Sequence, residues 1–527
     1  MITRRKVLEG GVIVTVAAAL PFGRLRRAYA ASSSTFDYYI SPTGDDNNPG
    51  TLGSPWSITA LNSKKAVYGG RRIGLLPGTY QYGTVGGVKT TLYSMNQSLP
   101  YGTSPILAAQ GGSSSAPTYI ASSDPSGNYS PRTATIDCSD PSTGALPTNP
   151  GSVLGQSAYM ESTVSAWGNV TIDGLVIRNF TYAALQFYGN ATYALMQGLI
   201  IQNCELYNGQ NIVSNNNPGA IHIYFGRNVN ILNCLIHDVI SNAPGTTSEM
   251  QACGYIQFNS LNTIIKNCTF YNCCAISNKD GWQSMDVSYC YCGWGPFGSP
   301  YSHERQYTSW GGTIQNYLCG TGVTVSFHHN ILLGPIMALG ESHQDNEGTV
   351  LIYNNTFYQP AGIPGNSGLV AFTDFDGHPL SGGGGTFEFY NNLVYSDADK
   401  YDSGDYTPGA FTKMGASTGG TMSTLTNCDY NAYGSGMTFA EGWGAGELAW
   451  PISKWQSYGY DTHSSTLTTS PFTGTPAEAN YLSFAISGPA VTAGKGGVAC
   501  GAVDGTGSVG CDFASLPVPV ASALSVG

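Results

Sequence analysis

The sequence predicts an all-β chain wound as a parallel β-helix, a solenoid of about ten coils with long loops on one face. Three observations predict it. Short aliphatic runs alternate with Gly- and Asn-rich turn formers along most of the 527 residues. Only 10% of residues are charged, so Lys- and Glu-rich surface helices are not expected, while 41% hydrophobic residues exclude a disordered chain. A short unit also returns about every 32 residues.

The elements follow in order. Residues 1–30 read as a targeting segment: "TRRKVLEGG" places Arg4 and Arg5 before an apolar run, and "AYA" ends at Ala30. The segment resembles a bacterial twin-arginine signal, with Val7 and Glu9 as departures; an ordinary secretory signal is the alternative. The expected location is exported, periplasmic or extracellular, with no membrane span in the mature chain. Residues 1–30 hold six Lys/Arg and one Glu, so the remainder carries a net charge of −16 against −11 for the whole. Nothing basic is left to follow a phosphate backbone, so nucleic acid is not an expected partner. Residues 31–125 are expected to hold the first strands and a cap, with "SITALNSKKAVY" as the helical candidate. Coils are expected over 126–400, and a wrapping segment and closing coil over 401–527. A monomer is expected.

The recurring unit reads aliphatic, any residue, then Asn, Asp or His, then Cys, Asn or Gly. Its copies carry Asp137-Cys138, Asp173-Gly174, Asn203-Cys204, Asn233-Cys234, Asn267-Cys268, Tyr289-Cys290, His329-Asn330, Asn354-Asn355 and Asn391-Asn392. One copy cannot bury its aliphatic face; stacked copies can, with backbones pairing to the coils above and below. The first position of each pair is expected at a tight bend and the second inside. Cys138, Cys204, Cys234, Cys268 and Cys290 then form an interior file of small side chains. Cross-coil disulfides are the rival reading, because a strand spacing of about 4.8 Å lies within disulfide reach; a metal site lacks paired C-x₂-C spacing. Thirteen cysteines leave at least one unpaired. Cys500 and Cys511 are the expected bridge.

The opening "YYISPTGDDNNPGTLGSPWSI" (38–58), the closing "NCDYNAYG", "GYDTHSS", "GPAVTAG" and "GAVDG", and the repeats between them together resemble secreted right-handed parallel β-helix proteins of the pectate-lyase-like superfamily. The resemblance spans nearly the whole mature chain. It implies fold and export, and a carbohydrate-active role; that superfamily holds lyases, hydrolases, epimerases and non-catalytic binders.

A second pattern runs through the same coils: "AALQFY" (Gln186, Tyr188), "GAIHIY" (His222, Tyr224), "GYIQFN" (Gln257, Asn259) and "GTIQNY" (Gln315, Tyr317). Period-two alternation points these eight residues outward if Leu185, Ile221, Ile256 and Ile314 point inward. Stacked, they form a strip of amide, imidazole and phenol groups suited to a polysaccharide, or an ordinary solvated face. Trp282 is expected to add a rung.

Two chemistries compete on such a strip. A glycosidase needs two carboxylates flanking one bond, from Glu249, Asp280, Asp286, Glu304, Asp374 and Asp376. A lyase needs a base and a group that neutralises a uronate carboxylate, from His222, Lys279, Arg305 and Arg227, or Ca²⁺. "NKDGW" (278–282) resembles a pectate-lyase calcium loop, with Lys279 in place of an acidic ligand, so Ca²⁺ is an open cofactor. The loops 292–312, 338–348 and 372–385 carry further His and acidic residues. His237-Asp238 is expected to be structural. Few Lys or Arg lie between 150 and 400, which tilts the expectation towards hydrolysis of a neutral or weakly acidic glycan; a non-catalytic glycan-binding or cell-surface protein is the alternative.

Overall fold

The computed structural model describes residues 35–85, 88–97, 105–149, 151–158, 167–190, 195–211, 219–241, 253–279, 284–293, 314–316, 322–333, 336–340, 348–359, 370–374, 386–397, 409–413, 425–441, 450–476 and 484–503. Successive strands pass to three different sheets in turn and return to the first. The result is a parallel β-helix whose sheets hold 12, 12 and 11 strands. Within the three sheets every pairing is parallel, as in Ile200–Gln202 beside Asn230–Leu232.

The core follows from alternation. In the first sheet one inward file runs Ile73, Ile120, Ile172, Ile201, Ile231, Ile265, Val287, Phe327, Ile352 and Phe389, all in register and all buried. The second sheet supplies Ile136, Ile177, Leu206, Ile236 and Phe270, and the third Leu107, Leu154, Leu185, Ile221 and Tyr255. Each such side chain contributes about 1.5–3 kcal/mol by leaving water, and a coil gains it only when stacked on the next. Short helices at Ala60–Ser63 and Lys65–Tyr68 pack beside the first third-sheet strand, where Tyr68 Oη donates to the carbonyls of Leu61 (2.6 Å) and Ala108 (3.2 Å). Among the described residues no helix is long and apolar enough to cross a membrane.

The three corners are unequal. Between the first and second sheets the corner is two residues long in eight successive coils, from Asn203-Cys204 to Tyr430-Asn431. Its first residue is left-handed throughout: Asn203, Asn233, Asn267, Tyr289, His329, Asn354, Asn391 and Tyr430 have φ between 54° and 59°. Asn tolerates this conformation better than other side-chain-bearing residues, which explains its recurrence. The second residue turns inward. Cys204, Cys234, Cys268 and Cys290 form the thiol file, and Asn330, Asn355, Asn392 and Asn431 continue it as an amide ladder. In that ladder each amide donates to the next Oδ1 at 3.0–3.3 Å.

Two copies of the repeat sit differently from expectation. "TIDCSD" forms the second-sheet strand Ala134–Asp137, with Asp137 opposite Arg178, so Cys138 lies outside the thiol file. In "TIDGLVI" Asp173 pairs with Gln202, so Gly174 itself takes the left-handed corner at φ 65°. Both slips have one cause: an Asp at a strand end imitates the Asn of the corner in sequence. The eleven described cysteines are buried thiols outside any disulfide. Cys500 donates to the Tyr430 carbonyl at 3.3 Å, and Cys511 lies outside the described residues.

Candidate functional site

The corner between the first and second sheets holds eleven residues at 123–133 and one at Gly174, but from Asn203 onward it stays at two, and length variation there falls at the other two corners, both of which border the third sheet. Connections into it or out of it run from two residues (272–273) to twenty (294–313) and more (81–104 and 442–464). The segments 294–313, 341–347 and 375–385 each enter or leave a third-sheet strand. The loops singled out from the sequence therefore each adjoin a strand of one sheet.

On that sheet the expected strip is only partly realised. Gln186 pairs with His222 and Tyr188 with Tyr224, on the outer side of strands whose Leu185, Phe187, Ile221 and Ile223 fill the core. The pattern then slips by one residue: His222 pairs with Ile256, and Gln257 pairs with Ile223. Gln257 therefore points inward, a correction to the expected strip. Its Nε2 donates to Asn278 Oδ1 (2.6 Å), and its Oε1 accepts from Tyr255 Oη (2.8 Å) and Thr263 Oγ1 (2.7 Å). The motif "GYIQFN" has a Tyr where its relatives have a small or aliphatic residue, and Tyr255 takes the inward place of Leu185 and Ile221. Asn259 lies beyond the strand at φ 48°, and its carbonyl accepts from Arg227 (2.7 Å). The Arg227 guanidinium also donates to the Gly226 carbonyl, which makes it a bracket of the turn and not a base. Asn278, the first residue of the calcium-loop resemblance, is spent in the core on Gln257.

Gln186 and His222 face outward by register yet have no exposed surface, against expectation. Gln186 accepts a bond from the Ser152 hydroxyl. His222 is surrounded by the rings of Tyr182 (5.5 Å), Tyr224 (4.8 Å) and Phe258 (5.6 Å), and among the described residues neither ring nitrogen has a hydrogen-bond partner. Burial in this apolar ring cage pulls its pKa down to about 3, so it is a neutral imidazole. Tyr224 and Phe258 stack face to face at 4.3 Å, and Tyr188 packs on Tyr224 at 4.1 Å, tilted by 32°. Stacked faces are covered by one another, so the ladder offers edges, not faces, to a ligand.

Of the other expected residues, Lys279 continues the file of Tyr188, Tyr224 and Phe258 by Cα register. Gln315 lies in the file of Gln186, His222 and Ile256 through Ser277. Asp280, Trp282, Glu304, Arg305 and Tyr317 lie outside the described residues, as do Glu249 and Asp376. Asp374 ends the third-sheet strand Val370–Asp374, opposite Gly340.

Asp286 is on a different face from the strip, a second correction. It belongs to the first-sheet strand Met285–Ser288 and faces outward. Its Oδ1 lies 3.1 Å from His328 Nε2 and accepts from the Ser326 hydroxyl. Burial pushes its carboxyl up, but the His328 hydrogen bond and charge, with the Ser326 and Ser288 hydroxyls, outweigh burial and hold it below its ordinary value. His328 Nδ1 meets His329 Nδ1 at 2.9 Å, and His328 stacks on Tyr353, which stacks on Tyr390. His328, Tyr353 and Tyr390 were missed in the sequence. Their signal was present: they occupy the variable position before each corner, in "FHHN", "IYNN" and "FYNN". The next carboxylate in the Asp286 file is Glu388, three rungs away. At about 4.8 Å per rung that is about 14 Å, too far for a glycosidase pair.

The second sheet bears its own cluster. His237 lies between Tyr207 and Tyr271, stacked at 5.0 and 4.5 Å, with Asp238 Oδ2 at 2.7 Å and Glu205 Oε1 at 3.4 Å. Burial pulls its pKa down, but the two carboxylates outweigh burial and raise it. Among the described residues no group of three His, Cys, Asp or Glu side chains is arranged to hold a metal ion.

No family model matches the chain, and no curated protein does. Solved structures do. A pectate lyase, Pel9A, is similar at 15% identity and TM-score 0.47, covering 89% of this chain and 96% of its own. A rhamnogalacturonan lyase is similar at 12% identity and TM-score 0.42, covering 75% and 87%. PfbA, a surface adhesin of Streptococcus pneumoniae, is similar at 12% identity and TM-score 0.39, covering 76% and 88%.

Proposed function

We propose that the protein is an exported, carbohydrate-active β-helix protein that binds a polysaccharide along the outer side of the third sheet and cleaves it there, as a lyase or a glycoside hydrolase. The observation that carries the reading is the inequality of the corners. Over the eight coils from Asn203-Cys204 to Tyr430-Asn431 one corner is fixed at two residues, whereas the two that border the third sheet vary from two to twenty or more. Extra chain is retained where it does something, and a rigid stack presents it along an open-ended linear face.

Within that reading Lys279, Asp280, Glu304 and Arg305 form the reacting set. Lys279 ends the third-sheet strand Cys274–Lys279, and Asp280 follows it. Glu304 and Arg305 lie in the connection that enters the next rung at Ile314–Asn316. A lyase would use Lys279 or Arg305 as base and the other to neutralise a uronate. A hydrolase would use Asp280 and Glu304 as acid and nucleophile or base. Tyr188 and Tyr224 contribute phenol edges to binding, with Gln315, Trp282 and Tyr317 extending the face. His222, Gln186 and Gln257 leave the contact set because they are sealed, and Asp286 leaves it because it faces elsewhere.

The test is a polysaccharide panel with the purified mature protein, with calcium or EDTA, following reducing ends and the ultraviolet absorbance of unsaturated uronate. Both signals together identify a lyase; reducing ends alone identify a hydrolase. The alternative is a non-catalytic glycan binder. That reading expects retained binding with silence in both signals.

A further inference from the structure

The corner between the first and second sheets is conformationally expensive at three positions. Asn or Gly occupies the left-handed residue at Gly174, Asn203, Asn233, Asn267, Asn354 and Asn391, but Tyr289, His329 and Tyr430 adopt the same φ of 54–59°. Rings with a β-carbon are strained there, and such strain is kept at sites that use it. The fold does not require a ring at these positions, since five coils hold Asn at the same corner.

The same three rings build two matching constellations. Near one end Lys266 Nζ lies 4.8 Å from the Tyr289 ring centre, Tyr289 stacks on His329 at 5.1 Å, and the adjoining His328 pairs with Asp286 at 3.1 Å. Near the other, Lys495 Nζ lies 5.9 Å from the Tyr430 ring centre, Tyr430 stacks on His463 at 4.9 Å, and His463 pairs with Asp429 at 2.6 Å. Between them Tyr353 and Tyr390 stack at 5.2 Å on the outer side of the first sheet. Tyr289 and Tyr430 are four rungs apart, about 19 Å. Each of these rings is partly exposed.

We propose that this edge is a second, non-catalytic binding site for an extended, neutral, hydroxyl-rich polysaccharide chain lying parallel to the helix axis. The proposal rests on the polysaccharide reading above but concerns another face. The chemistry selects the ligand. Ring faces are occupied by one another, so the edge presents phenol hydroxyls, imidazole nitrogens and carboxylate oxygens, which exchange hydrogen bonds with sugar hydroxyls. The rung spacing repeats these groups along a line, as an extended glycan repeats its hydroxyls. Asp286, Glu388 and Asp429 outnumber Lys266 and Lys495 along the edge, and the mature chain is strongly negative, so a polyanion is disfavoured.

The experiment compares the full chain with Tyr289→Asn, His329→Asn and Tyr430→Asn, singly and combined. Each restores the residue that neighbouring coils carry. Binding is measured by affinity electrophoresis on soluble β-1,4-xylan, galactomannan and polygalacturonate, and melting temperature is measured alongside. The expected result is binding of a neutral polymer that weakens at least ten-fold in the triple variant, with melting temperature unchanged or raised. Unchanged binding, binding of polygalacturonate alone, or no binding by the unaltered chain overturns the proposal. A lowered melting temperature with unchanged binding overturns it too, by assigning the rings to packing. Absence of cleavage, in contrast, overturns only the third-sheet reading.

Discussion

The backbone amide of Cys290 donates to Asn330 Oδ1 at 2.9 Å, and at that contact the inward corner file changes from thiol to carboxamide. Before it, Cys234, Cys268 and Cys290 each donate weakly to the carbonyl two residues back, at 3.4 Å. After it, Asn355 Nδ2 donates to the carbonyls of Phe327 (2.8 Å) and Tyr353 (3.1 Å) and to Asn392 Oδ1 (3.1 Å). Asn355 Oδ1 accepts from the Asn330 amide group and backbone, both at 3.0 Å. One slot thus has two solutions: a small side chain that asks little, or a larger one whose every polar atom is bonded.

Asn355→Ala should therefore destabilise strongly, by roughly 3–4 kcal/mol, because it strands several buried partners. Asn355→Cys should cost less, because the coils before Asn330 already hold a thiol there. Urea unfolding of both variants checks this; equal losses would contradict the shared-slot account.

The thiol file should be chemically silent. Burial pushes the thiols of Cys204, Cys234 and Cys268 well up, and only a thiolate reacts. Alkylation at pH 8 followed by peptide mapping should leave the eleven described cysteines unlabelled until denaturant is added. Labelling of the file in the native protein, or cross-coil disulfides in its peptides, would reject this packing.

Much of the fold was legible because the corner is local: a left-handed residue favours Asn, so the repeat can be counted. The outer side was less legible for a physical reason. Period-two reasoning needs an anchor for the inward phase, and in "GYIQFN" Tyr255 took that role in place of Ile256, turning Gln257 inward. Register also hid which sheet a motif joins. Asp286 and Lys279 are close in sequence, yet lie on adjacent sides of the helix because five residues carry the chain from the third sheet to the first. The burial of His222 was beyond sequence reasoning, since its cage of Tyr182, Tyr224 and Phe258 comes from separate coils and a turn.

His222 should make the protein acid-sensitive. Its pKa falls from an ordinary value near 6.5 to about 3 on folding. A base with a depressed folded pKa gives stability that is present above pH 6.5 and is lost as pH falls towards 3. The full loss is roughly 5 kcal/mol. His222→Leu should match or exceed the wild type at pH 7 and gain over it progressively at pH 6, 5 and 4. A stability difference independent of pH would show that the imidazole finds a proton partner.

The C-terminal end should depend on one carboxylate. Asp461 is buried and accepts from Asn431 (2.8 Å), Ser464 (2.6 Å), Tyr433 (2.9 Å) and Trp455 (2.8 Å). Asp461→Asn puts an amide donor among donors and should cost roughly 3 kcal/mol or more. Hydrogen exchange should quicken over 425–441 and 450–467 while 170–178 stays protected; uniform change along the helix would contradict a local plug.

The most direct measurement is hydrogen exchange of the protein with and without a polysaccharide that it binds or cleaves. Slowed exchange is expected in peptides over 274–284, 294–316, 336–348 and 360–385, which form or border third-sheet strands. Protection confined to the second-sheet outer side, around Arg178, Tyr207 and His237, with no change in those peptides, would contradict binding along the third sheet.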